Sequence, residues 1–157
     1  MTNEFCRRDS CFAEQFTGGT CIAPTACLLT SGYGAVIVSA DVLGGASTWT
    51  RTVVYGHGEH MRGIYQLQDP HCFSTSLCYA IGTQGDLLIS TDPFGSDPAS
   101  WEVFHVPGVK SSQYASADVQ LSCADQNDCY VLYGTRRVIH ARVDGTSLQP
   151  PAGSPNG

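Results

Sequence analysis

The chain has 157 residues, only 14% of them charged, and a formal net charge of −6. That balance excludes the basic footprint of a nucleic-acid binder. No segment is apolar for long enough to cross a membrane as a helix, and the length suits one domain with an ample core.

Met1 leads into polar residues rather than an apolar stretch, so no signal peptide is read at the start. The chain is expected to be a mature form with its leader removed, or a domain from a longer protein. Cys6 and Cys11 are expected to staple an N-terminal tail over residues 1–11, and a first strand is read at Phe12–Phe16. Next comes Cys21, five residues, and Cys27, followed by Leu28–Thr30, a turn at Ser31–Gly34, and Ala35–Val38. A strand at Gly63–Gln68 precedes the next copy: Cys72, Cys78, Tyr79–Ile81, a turn at Gly82–Gly85, and Asp86–Ile89. A strand at Ala117–Leu121 precedes the last: Cys123, Cys129, Tyr130–Tyr133, a turn at Gly134–Arg136, and Arg137–His140. Short β-branched and aromatic runs broken by Gly-containing turns read as hairpins. No helical periodicity of useful length appears, so the fold class is all-β.

Both cysteine series step by 51 residues (21, 72, 123 and 27, 78, 129), so three copies of one unit fill the chain. A period near 50 means a solenoid, a propeller or an array. Four strands per unit make about twelve, with units at residues 12–55, 63–106 and 116–150 and a Pro/Gly/Ser-rich disordered tail at 151–157. The spacing C-x5-C is a poor zinc pattern, and the pairs fall in different units. Disulfides within each unit are therefore expected, and with them an oxidising, extracellular setting.

Two units also carry a loop and a tryptophan at matching places. Ser39, Asp41, Gly44 and Trp49 in the first correspond to Ser90, Asp92, Gly95 and Trp101 in the second. This pattern, S-x-D-x-x-G followed by W, resembles the Asp-box (BNR) repeat of sialidase-like β-propellers. The resemblance implies three four-stranded blades, with Ser and Asp bonding the loop backbone and Trp plugging the blade base. The third unit departs from it: the stretch holding His140, Arg142 and Gly145 has neither the Ser nor the Asp in place, and no Trp follows. Three blades do not close a ring, so a head-to-tail dimer or a larger assembly of the chain is expected.

In folds of this kind the turns between second and third strands share one face with the inter-blade loops, and ligands bind there. The candidate ligand-binding residues on that face are Tyr33, His57, Glu59, His60, Arg62, Gln84, Tyr114, Arg136 and Arg137. Aromatic faces stack on sugars and Arg forks hold carboxylates, so glycans or other cell-surface ligands are the expected class. His57, Glu59 and His60 are the most ligand-like cluster, but on a Gly loop no helix aims them at a metal, and no metal or cofactor is expected. The sialidase residues, spread over six blades, have no residue-by-residue match here, so a non-catalytic secreted binding module is the reading. A structural, self-assembling protein (ring or filament) is the alternative, and a glycoside hydrolase fragment ranks last.

Overall fold

Runs of three to eight residues, too short for stable helices and parted by tight turns, fold back on one another as antiparallel strands. The computed structural model describes residues 15–56, 65–109, 119–134, 137–144 and 147–149. Among these residues three four-stranded sheets follow in chain order, each a simple meander. The first holds β1 (Phe16–Ala23), β2 (Ala26–Ser31), β3 (Ala35–Ser39) and β4 (Thr50–Val53). The second holds β5 (Leu67–Ser74), β6 (Leu77–Gly82), β7 (Asp86–Ser90) and β8 (Trp101–His105). The third holds β9 (Val119–Cys123), β10 (Asp128–Tyr133), β11 (Arg137–Asp144) and β12 (Ser147–Gln149).

The first strand of each sheet lies further along the chain than expected and carries the first cysteine of each pair. The reason is pairing: Cys21, Cys72 and Cys123 stand directly opposite Cys27, Cys78 and Cys129 across the first hairpin. Each opposed pair is a disulfide, with Cα atoms 4.0, 4.1 and 3.9 Å apart. The expected Cys6–Cys11 staple, the tails and most of the Phe12–Phe16 strand lie outside the described residues.

At the same end of the first sheet, Val42 N–H donates to Thr25 O at 2.9 Å, joining the disulfide hairpin to the loop after β3. That loop is tied by its serine. Ser39 Oγ accepts from Asp41 N at 3.1 Å and donates to Thr48 Oγ1 at 2.9 Å. Ser90 Oγ accepts from Asp92 N at 3.2 Å, and Ser100 Oγ donates to Asp92 O at 3.1 Å. Both bends thus use the serine hydroxyl and the aspartate main chain. Trp101 is buried, whereas Trp49 is half-buried.

The opposite end is fixed by two equivalent glycines. Gly34 and Gly85 have φ of +69° and +84°, open to glycine at no steric cost. Gly34 O accepts from Tyr55 N at 3.0 Å and Gly85 O from Val106 N at 3.0 Å. The chain leaving each sheet is thereby pinned over its central turn, and a Cβ on Gly34 would collide with the Tyr55 carbonyl.

Candidate functional site: the uncovered faces of the sheet array

Side chains alternate across a strand, so each sheet has one face toward its predecessor and one toward its successor. Leu28, Val36 and Val38 of the first sheet pack in one cluster with Leu67, Cys78, Ala80, Leu88 and Trp101 of the second. Tyr79, Ile81, Leu87 and Ile89 form the second sheet's other face. They pack with Val119, Leu121, Cys129, Val131, Ala141 and Val143 of the third. All four are at most 1% exposed.

Fifty-one residues on, the same face of the third sheet holds Tyr130, Leu132, Val138 and His140. Here Tyr130 is 43%, Leu132 39% and Val138 64% exposed. Tyr130 stacks on His140 with ring centroids 4.9 Å apart, and His140 Nε2 lies 2.8 Å from Asp128 Oδ1. Tyr130, Leu132 and Val138, with Asp69, Gln120, Leu121 and Ser122, line an open hollow of about 380 Å³.

The opposite end of the array has its own uncovered positions. Phe16 pairs with Ser31 as Leu67 pairs with Gly82 and Val119 with Tyr133. Leu67 and Val119 are fully buried against the preceding sheet, but Phe16 is 55% exposed. Leu29 and Trp49 are half-buried, while Ile37 and Ala35 on the same sheet are buried.

Polar contacts repeat between sheets, chiefly through the first strands. Thr17, the residue after Phe16, donates from Oγ1 to Leu67 O. Gln68, the residue after Leu67, donates from Nε2 to Val119 O. His71 Nε2 donates to Leu121 O at 3.0 Å, and Leu121 N–H donates to Asp69 Oδ2 at 3.1 Å. Tyr79 donates its hydroxyl to Gln126 O of the next sheet at 2.6 Å. Burial, then the charge of Asp125, raises the Tyr79 pKa. Gln120 stands opposite Leu132 as Gln68 stands opposite Ile81, and it is exposed.

No protein-family model and no curated protein matches the chain. Two solved structures share its architecture. One, "YCF48 bound to D1 peptide", is 13% identical with a TM-score of 0.57, over 87% of this chain and 40% of that one. The other, YCF48 from Cyanidioschyzon merolae, is 12% identical with a TM-score of 0.53, over 83% and 38%. The fold is that of β-propeller blades. This chain spans about two fifths of the length of each of those propellers.

Of the residues expected on the loop face, Tyr33 and Gln84 occupy the same position in the turns of the first two blades. Tyr33 is half-buried; Gln84 is only 8% exposed. Arg137 is exposed at the start of β11, opposite Tyr133. His57, Glu59, His60, Arg62, Tyr114 and Arg136 lie outside the described residues. Among the described residues no cluster of His, Cys, Asp and Glu is placed to hold a metal ion. Sequence reading did not single out Phe16, Gln120 or Tyr130 as a site. The 51-residue step from Tyr79 to Tyr130 was the available signal.

A polar knot sits between the first two blades on the loop side. Tyr55 donates its hydroxyl to Asp86 Oδ2 at 2.5 Å, and its ring meets Tyr65 edge-on at 5.2 Å. His105 bridges Asp86 Oδ1 and Val109 O, each at 2.9 Å. Burial raises the Tyr55 pKa, and its bond to Asp86 and that carboxylate's charge add to the rise.

Proposed function

We propose that the chain is a secreted, non-catalytic binding module, a sector of three propeller blades whose working surface is the uncovered face of the third. One observation carries this: Tyr130, Leu132 and Val138 are 39–64% exposed where their counterparts Tyr79, Ile81 and Leu87 are fully buried. A contiguous apolar patch with polar groups at its edge marks an interaction surface. Three disulfides support an oxidising compartment. The two serine-tied bends, each followed by Trp, support an Asp-box repeat as the structural unit. That one neighbour is described bound to a peptide supports binding as a role for propellers of this shape.

The test compares the wild-type protein with a Leu132→Asp/Val138→Asp double variant, unreduced and at matched concentration, by apolar-dye uptake and light scattering. A working surface gives the wild type either dye uptake or association that the variant lacks. Equal behaviour in both measurements ends the proposal.

A second reading keeps glycans as ligands of the loop face. It is supported by Tyr33, half-buried on a turn braced by Gly34, and by the exposed Arg137. A glycan panel probed with wild-type protein and a Tyr33→Ala/Arg137→Ala variant tests it; identical binding by the two removes those residues from the site.

A further inference from the structure

We infer that the occupant of the third blade's open face is the first blade of a second copy of the same chain, docked head to tail. This rests on reading that face as a binding surface, and it names the partner. The chain itself shows twice what covers such a face. The first strand of the following blade lies over it, beginning with a buried apolar residue, Leu67 or Val119. In the first blade that position is Phe16, more than half exposed. The first blade therefore leaves open at Phe16 the position that Leu67 and Val119 fill in the later blades, while Ile37 and Ala35 on the same sheet are buried.

The polar groups match in the same way. The carbonyl of Leu67 or Val119 accepts a side-chain hydrogen bond from the preceding blade, from Thr17 or Gln68. Gln120 is the next donor in that series, exposed beside the hollow, and the Phe16 carbonyl of a second copy is its acceptor. The Tyr130 hydroxyl would reach the hairpin turn at Pro24 of that copy, as Tyr79 reaches Gln126. Trp49 of the second copy would pack over Tyr130 and Val138, as Trp101 packs over the first blade. The known propellers of this shape are more than twice as long as the matched part of this chain. Two copies supply six blades, and a head-to-tail contact repeated by two-fold rotation closes on itself.

The test is complementation, on the full 157-residue chain. Light scattering is run on wild type, Phe16→Asp and Val138→Asp, each alone and as an equimolar mixture of the two variants. Both substituted side chains are exposed, so circular dichroism should be unchanged. The wild type is expected at twice 16.7 kDa, with each variant monomeric alone. The mixture regains a one-to-one complex, because each variant keeps the end that the other has lost. A wild-type mass that climbs with concentration reports the same contact repeated without closure and supports it too. Gln120→Ala, which leaves the apolar surface intact, is expected to weaken association about tenfold. If Phe16→Asp still associates while Val138→Asp does not, the face has another occupant: the inference fails and the binding-surface reading stands. A wild type that stays monomeric at every concentration also overturns the inference, and its dye uptake against the double variant then decides the reading beneath it.

Discussion

The hydroxyl of Tyr55, on the chain leaving the first blade, lies 2.5 Å from the Asp86 carboxylate of the second. The contact joins two blades at the point where the backbone passes between them. Tyr55 N–H is already held by Gly34 O, so the ring is fixed at both ends. Tyr55→Phe keeps the packing and removes the bond. A hydrogen bond to a charged group contributes roughly 1.5–3 kcal/mol, and Asp86 retains His105, so the expected loss is about 2 kcal/mol. Urea unfolding measures it; a change below about 0.5 kcal/mol means that the bond is not made in solution.

Alkaline titration reads the same burial differently. Tyr55 and Tyr79 both have raised pKa values, burial being the first cause in each. A raised folded-state value gives stability that is fully present below the unfolded value of about 10. That stability is lost as pH climbs through the folded values. Absorbance should show Tyr55 and Tyr79 resisting ionisation above about pH 10 and ionising together with unfolding. Tyr55→Phe should remove one of the two from that late step.

The disulfides should differ in weight although their loops are equal. Closing so short a loop stabilises by roughly 2 kcal/mol in the chain-entropy model. Cys78 and Cys129 are also fully buried within the inter-blade clusters, whereas Cys27 belongs to neither. Replacing Cys21 and Cys27 by Ala should cost about 2 kcal/mol. Replacing Cys72 with Cys78, or Cys123 with Cys129, should cost about 1 kcal/mol more for the lost packing. Equal losses in a denaturant series on the three double variants would contradict this order.

The two tryptophans offer a paired comparison. Trp101→Ala empties a site packed between two blades and should cost about 3–5 kcal/mol. Trp49→Ala should cost about 1 kcal/mol in dilute protein, since its ring is only half covered. Thermal unfolding at low concentration decides it, and equal losses would mean that the first blade's flank is already filled.

The blade repeat was legible because cysteine positions and hairpin turns are local signals, and both return every 51 residues. Strand position was less so. The chain adds a residue within β5, where the register shifts between Gln68 and His71 and Asp69 has φ +47°. Gln68 therefore corresponds to Gln120, one step off the period. The serine-tied bends were expected in place, and among the described residues their contacts run through the Ser39 and Ser90 hydroxyls and the main chain of Asp41 and Asp92. The Tyr55–Asp86 bond was invisible for a different reason. Its partners are 31 residues apart, and Pro107 takes the place of Tyr55 in the next blade, so no periodic pattern reveals it.

Each described disulfide closes within one hairpin; none joins blade to blade. Under tension on its two ends the chain would therefore part at the joints between blades, where apolar contact and a few hydrogen bonds bear the load. The cystine hairpins would survive as unextended knots, so the molecule would lengthen in steps and shorten again on release without any sulfur chemistry.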